Sequence, residues 1–111
     1  MWIAKEDGSF MQMAVGDYGI QLPFDVDGVT LSANDSIRFT FMDSAGTFVL
    51  EKTYDNIQNN SVNLEFTDAE SALFRSGVYY YSIDWYQDDL LMCNFIPNGI
   101  FKVVHKVEAN N

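Results

Sequence analysis

Hydrophobic and polar residues alternate one by one along much of the chain, in short segments separated by turn-forming residues. The clearest segment runs from Ser36 to Met42. Its alternating apolar positions are Ile37, Phe39 and Phe41. A period of two is typical of a half-buried β-strand, because successive side chains point to opposite faces. Many short segments of this kind favour a sandwich or barrel over helical or alternating βαβ folds.

The same pattern predicts seven or eight strands in all. Asp43-Ser44-Ala45-Gly46 has the composition of a hairpin turn and leads into a strand from Thr47 to Thr53. Pro97-Asn98-Gly99 predicts a second tight turn, between the last two strands. The other predicted strands are residues 10–15, 19–26, 62–66, 78–86, 90–96 and 100–107.

A single short helix is predicted near residues 68–75. Thr67 and Glu70 have the spacing of a capping box, in which each side chain bonds to the backbone amide of the other residue. Gly77 would end the helix region before an aromatic strand. Together, Leu73, Gly77 and Tyr79 resemble the corner before the sixth strand of immunoglobulin-type sandwiches, where the tyrosine hydroxyl bonds back to the backbone. The predicted fold is therefore all-β, an immunoglobulin-like antiparallel β-sandwich.

The chain of 111 residues has the usual size of one domain, and it contains no internal repeat, linker or break in composition. We therefore expect one β-sandwich domain over residues 1–111. Residues 1–9 and 108–111 are expected to be loosely attached ends.

Charge narrows the possible partners. The chain has 16 acidic and 6 basic residues and a formal net charge of -10. Such a charge repels phosphate backbones and anionic lipid headgroups, so neither nucleic acid nor a membrane surface is an expected partner. The first residues also lack the basic and apolar regions of a secretory signal peptide.

No residue pattern points to catalysis, a metal or a cofactor. His105 and Cys93 are the only residues of their types, and neither lies in a known catalytic motif. The segment Asp25-Val26-Asp27-Gly28 resembles the start of a calcium loop but lacks the third acidic ligand and the bidentate glutamate. Sixteen acidic residues make chance carboxylate pairs inevitable, and none is distinguished as an acid–base pair. We expect no enzyme activity and no cofactor.

Exposed aromatic residues are the best candidates for a binding site. Alternation along the strand near residue 80 predicts that Tyr80 and Tyr86 face away from the core, while Trp85 faces inward. With Trp2, these tyrosines could contact a protein partner or stack against a sugar ring. A protein interface is the favoured interpretation, and a carbohydrate-binding module with an aromatic platform is the alternative.

Turn and strand motifs follow one another in a recognisable order over about residues 10–107. These motifs are Met13-Ala14-Val15-Gly16-Asp17, Asp27-Gly28, Ile37-Arg38-Phe39-Thr40-Phe41, Ala45-Gly46, Leu50-Glu51-Lys52-Thr53, Val62-Asn63-Leu64-Glu65-Phe66-Thr67, Leu73, Gly77-Val78-Tyr79-Tyr80-Tyr81-Ser82-Ile83 and Ile96-Pro97-Asn98-Gly99-Ile100-Phe101-Lys102-Val103. In order and spacing they resemble small β-sandwich domains of phages and prophages of Gram-positive bacteria, including the N-terminal domain of upper baseplate (tail) proteins.

The resemblance implies a function and a location. Such a domain is a structural or attachment module that acts through protein–protein contacts in a tail or baseplate. The expected partners are other tail or baseplate proteins or a second copy of the chain, so a homo-oligomer is one expected state. The expected location is the virion, assembled in the bacterial cytoplasm.

Overall fold

A computed structural model describes residues 3–4, 10–16, 22–26, 28, 30–57 and 59–104 of the chain. These residues form an all-β, immunoglobulin-like sandwich of eight strands and one short helix. The strands are β1 (Ile3–Ala4), β2 (Phe10–Ala14), β3 (Leu22–Asp25), β4 (Asp35–Asp43), β5 (Phe48–Tyr54), β6 (Ser61–Leu64), β7 (Gly77–Gln87) and β8 (Leu90–Val104). The helix α1 spans Asp68–Ser71, between β6 and β7.

The strands form one large and one small sheet. The large sheet has the order β1-β2-β8-β7-β4-β5, and the small sheet pairs β3 with β6. All pairs are antiparallel except that of β2 with β8, which is parallel. Parallel neighbours need a long connection, and here almost the whole domain lies between the two strands. The large sheet is therefore mixed, whereas the sequence predicted an antiparallel sandwich.

The core lies between the two sheets and is rich in aromatic side chains. Alternation in β4 is as predicted, because Ile37, Phe39 and Phe41 are at most 1% exposed. The Phe41 ring centroid lies 5.4 to 5.9 Å from those of four other buried aromatic residues. These are Phe66, Phe74, Tyr81 and Phe101. Edge-to-face contacts at this spacing add to the burial of apolar area.

The predicted hairpin between β4 and β5 is confirmed. The Asp43 carboxylate accepts hydrogen bonds from the amides of Ala45 and Thr47, both at 2.9 Å. Gly46 has a φ of 86°, in the left-handed region that glycine adopts at least cost. The turn chemistry of these residues therefore specified the connection locally.

Helix α1 has the predicted capping box but is shorter than expected. The Glu70 amide bonds to the Thr67 hydroxyl, and the Glu70 carboxylate accepts the Thr67 amide. The helix ends at Ser71. The Ala72 amide still bonds four residues back, but the amides of Leu73 and Phe74 bond three residues back, which tightens the turn. This turn directs Phe74 into the core, where it is 2% exposed, and leaves Leu73 50% exposed.

The tight turn predicted at Pro97-Asn98-Gly99 is wrong, because β8 continues without interruption from Leu90 to Val104. The chain reverses at Asp88 and Asp89, between the predicted strands 78–86 and 90–96 as expected, and both residues have positive φ angles. Two such residues form the turn that matches the twist of a β-hairpin.

Pro97 and Gly99 have other roles within β8. The register of β8 against β7 shifts at three points, and Pro97 lies at one of them, between the pairs Tyr81–Gly99 and Ile83–Ile96. A bulge tolerates proline because it needs no ladder hydrogen bond there. At Gly99, a Cβ atom would lie 2.5 Å from the Tyr81 ring, so glycine is required for a close approach and not for a turn.

The start of the chain departs from the expectation at its two described residues. Ile3 and Ala4 lie in the segment expected to be a loose end, yet they pair with β2. The predicted strand residues 19–21 and 105–107 and the end segment 108–111 lie outside the described residues.

Candidate functional site

The outer face of the large sheet, which points away from β3 and β6, carries a row of apolar side chains. Strand register pairs Phe48 with Met42, and Met42 with Tyr80. It also pairs Tyr80 with Ile100, and Ile100 with Phe10. Five side chains from five neighbouring strands therefore lie side by side, and we call them the apolar row.

The apolar row is accessible to a partner. Phe48 is 61% exposed and Ile100 is 42% exposed, while Met42, Tyr80 and Phe10 are half-buried. Neighbouring strands lie about 4.8 Å apart, so the row spans roughly 19 Å across the sheet. None of the five belongs to the core cluster or packs against it.

Further exposed apolar side chains extend this face above and below the row. Val78 pairs with Lys102 beside the centre of the row, two residues from Tyr80, and Leu91 pairs with Tyr86 at the far end of β7. Among the described residues, four of the seven exposed large apolar side chains lie on this face. They are Phe48, Val78, Leu91 and Ile100. Contiguous exposed apolar groups mark an interaction site more often than scattered ones do.

The polar groups of the outer face are balanced in charge. Among the described residues, Arg38 and Lys102 are its cations, and Glu51 and Asp84 are its anions. The Arg38 Nε atom lies 3.4 Å from the Glu51 carboxylate, an ion pair without the alignment of a hydrogen bond. The Asp84 carboxylate is buried to 8% exposure and accepts hydrogen bonds from Asn94 and Ser82. An otherwise acidic protein therefore presents one locally neutral face.

The predicted aromatic residues do not form one platform. Tyr80 is the centre of the apolar row, whereas Tyr86 lies six residues further along β7, roughly 20 Å away. The guanidinium carbon of Arg38 lies 4.1 Å from the Tyr86 ring centroid and occupies one side of that ring. Trp2 lies outside the described residues. A single sugar ring could not contact Tyr80 and Tyr86 together.

The predicted corner holds the start of β7. The Tyr79 hydroxyl accepts a hydrogen bond from the Arg75 amide at 2.9 Å and donates to the Arg75 carbonyl at 3.2 Å. Gly77 has a φ of 149°, where a side chain would be strained. Leu73 is half exposed at this corner, and its neighbour Phe74 packs against the Tyr79 ring at 5.0 Å. The corner is structural, and it positions Tyr80 on the outer face.

Asp35 anchors the opposite end of β4 and β7. It is 2% exposed, and its carboxylate accepts hydrogen bonds from Trp85 Nε1 at 2.8 Å and the Ser32 amide at 2.7 Å. The Trp85 bond, with those from Ser32 and Gln87, lowers the pKa of Asp35 despite its burial. Sequence reasoning missed this residue, because Asp35 lies in a polar loop pattern and its partner Trp85 is fifty positions away.

A shallow polar groove lies beside β5 and β6. Its volume is about 460 Å³. The lining residues are Tyr54, Asp55, Asn56, Ile57, Asn59, Ser61, Val62 and Asn63. Burial raises the pKa of Tyr54, although the Glu65 amide donates a hydrogen bond to its hydroxyl and Lys52 is near. Amide and hydroxyl groups of this kind bond well to sugar hydroxyls.

The residues that could serve a metal or catalysis are only partly described. Within the described ranges, no three His, Cys, Asp or Glu side chains are grouped to hold a metal ion. Cys93 is an exposed free thiol on β8, while Asp27 and His105 lie outside the described residues. No helix in the described part of the chain is long and apolar enough to cross a membrane.

Comparisons with protein-family models, with curated proteins and with solved structures gave no match to the chain.

Proposed function

We propose that this domain is a non-enzymatic attachment module that binds protein through the outer face of its large sheet. The apolar row carries the proposal, because five apolar side chains across five strands form a broad exposed surface. Interfaces are enriched in tyrosine, phenylalanine and methionine at their centres, and the row contains all three.

The behaviour of the buried carboxylates supports a structural role. Asp35 is bonded to Trp85 and Ser32, and Asp84 is bonded to Asn94 and Ser82. Buried acids that are satisfied by neutral donors in this way stabilise a fold, whereas catalytic acids are arranged toward a substrate cleft.

The setting that we propose is the tail or baseplate of a phage or prophage, in the virion. This setting rests on the resemblance of the sequence motifs over residues 10–107 to domains of upper baseplate proteins. Its partners would be other tail or baseplate proteins or a second copy of the chain, and the contact needs no cofactor.

Purified particles test the attachment function. Tailed particles are induced from the strain that encodes the chain, banded by density and analysed by mass spectrometry. The wild-type chain should band with the particles. Ile100→Glu should lower the incorporation of the chain into particles by roughly tenfold or more, because the new glutamate would bury an unpaired charge at the interface. The matched control is Leu73→Glu, which alters a similarly exposed apolar residue off this face. Particles that lack the chain, or that incorporate both variants equally, would contradict the proposal.

Carbohydrate binding is the second candidate function. The polar groove beside β5 is a better candidate sugar site than Tyr80 and Tyr86, which lie too far apart to contact one sugar ring. Asn56 and Asn63 would bond to sugar hydroxyls there, with Tyr54 as the aromatic wall. A glycan-array screen with the wild type, Asn63→Ala and Tyr80→Ala distinguishes the sites. Binding that Asn63→Ala abolishes and Tyr80→Ala leaves intact would favour the groove, whereas no binding to any glycan would exclude this candidate.

A further inference from the structure

We propose that the partner bound by the outer face is a second copy of the same chain, in a twofold dimer with the two large sheets face to face. This inference rests on the proposed attachment function and adds the identity of the occupant. Three observations support it: the order of residues in the apolar row, the charge of the face and its size.

The apolar row is symmetric about β7. Tyr80 lies at its centre, with an aliphatic side chain on each side and a phenylalanine at each end. A twofold axis parallel to β7 would keep each residue at its height and exchange the two flanks of the sheet. Phe48 would then lie opposite Phe10 of the second copy, and Met42 opposite Ile100 of the second copy. A surface with this symmetry is complementary to itself, as an isologous interface requires.

The strands of stacked sheets cross at about −30°, so this match is best near β7. The tyrosines of the two copies would meet at the axis, and the phenylalanines at the ends of the row would meet with an offset. Aromatic rings tolerate such offsets, since offset and edge-to-face contacts are preferred over direct stacking.

Charge argues against a basic partner on this face. The chain carries a net charge of -10, but on this face Arg38 and Lys102 balance Glu51 and Asp84. A strongly basic partner would be steered to the acidic surfaces elsewhere. A second copy brings an equally neutral, apolar face, and the described acidic residues of β3 and α1 stay on the far side of the dimer.

The size of the face is sufficient for a stable dimer. Three long strands, β4, β7 and β8, with the shorter β2 and β5, give the outer face a planar area of roughly 640 Å². Stable interfaces bury about 600 to 1,000 Å² on each partner. The outer face therefore has the area of a complete interface without any contribution from the sheet edges.

The edges themselves are less suited to strand addition. Strand β2 pairs only with Ile100 to Val104 of β8, so the earlier part of β8 has an exposed edge. The register of that part against β7 shifts three times between Tyr81 and Tyr86. Bulges interrupt the regular alternation of backbone donors and acceptors that an added strand needs. The opposite edge, β5, carries the charged residues Glu51 and Lys52. A contact through side chains of the face is favoured over backbone pairing at either edge.

Sedimentation velocity on the full chain tests the dimer over about 1 to about 100 µM. The wild type should shift with concentration from the 12.6 kDa monomer toward twice that mass. Ile100→Glu and Phe48→Glu, on different strands of the row, should each weaken association at least about tenfold. Leu73→Glu should associate like the wild type. Higher salt should strengthen the dimer, because screening reduces repulsion between two acidic chains.

A wild type that stays monomeric at every concentration would overturn the dimer, as would a dimer that neither row variant weakens. These outcomes can be distinguished from outcomes that contradict the proposed attachment function. A monomer whose incorporation into particles still falls with Ile100→Glu would retain the attachment and exclude self-pairing. A dimer that is absent from particles would retain self-pairing and exclude the tail setting.

Discussion

The inner and outer faces of the large sheet are both aromatic, yet they differ in what covers them. On the inner face, Phe41 and Tyr81 are at most 1% exposed beneath the small sheet and the turn after α1. On the outer face, Tyr80 and Met42 lie in the same strands, but no described helix or strand packs over them. Alternate residues of one strand thus have two roles. One set stabilises the fold, and the other set forms the surface that we propose binds a partner.

The comparison predicts the largest effect for Phe41→Ala on the inner face. The ring contacts four other buried rings, so its removal should leave a cavity and lower the free energy of unfolding by about 3 to 5 kcal/mol. Urea unfolding followed by tryptophan fluorescence measures this loss. A change below about 1 kcal/mol would mean that the inner cluster is not the core that supports the sheet.

A smaller effect is expected at the polar end of the inner face. Asp35→Asn cannot accept both the Trp85 and Ser32 donors with the same strength, so stability should fall by about 1 to 3 kcal/mol at neutral pH. The pKa of Asp35 is lowered from 3.8 in the folded protein. Its stabilising effect is therefore present above about pH 4 and is lost as the pH falls through the lower folded pKa.

Acid unfolding between about pH 4 and about pH 2 measures this contribution. The Asp35→Asn variant should lose less stability over that range than the wild type does. Asp84→Asn is the matched change on the outer face and should cost less at neutral pH, because its neighbours can turn toward water. Equal losses of stability for Asp35→Asn and Asp84→Asn would show that the buried carboxylates of the inner and outer faces contribute equally to folding.

The corner between α1 and β7 should contribute less again. Tyr79→Phe keeps the buried ring but removes the hydroxyl that bonds to the Arg75 amide and carbonyl. We expect a loss of about 1 kcal/mol in thermal or urea unfolding. Tyr80→Phe, on the outer face of the same strand, is the control, and we expect it to cost less. A loss for Tyr80→Phe as large as that for Tyr79→Phe would show that the contact with Arg75 does not stabilise the fold.

The smallest effect on folding is expected on the outer face. Phe48→Ala removes a side chain that is 61% exposed, so the free energy of unfolding of the monomer should change by less than about 0.5 kcal/mol. The measurement uses dilute protein, so that association does not contribute to stability. A loss close to that of Phe41→Ala would show that the two faces are equally important for folding.

Local patterns in the chain predicted much of this architecture. Alternation identified β4, β5 and β7, the capping box identified the start of α1, and turn chemistry identified the hairpin at Asp43. These features depend on residues close in sequence, because a strand's faces, a helix cap and a two-strand turn are each specified within a few positions. The corner at Tyr79 belongs to the same class, since Arg75 is four residues away.

The candidate site depended on pairings that no local pattern contains. Alternation alone predicted that Tyr80 faces outward, but not that Met42 and Ile100 flank it, because register joins strands that are far apart in sequence. For the same reason, the turn predicted from Pro97 and Gly99 is wrong. Pro97 is accommodated by the bulge against β7, and Gly99 is required by the close approach of the Tyr81 ring. The sequence by itself determined which side chains leave the core. Only the tertiary structure decided that five of them form one surface, since strand pairing is a long-range property of the whole sheet.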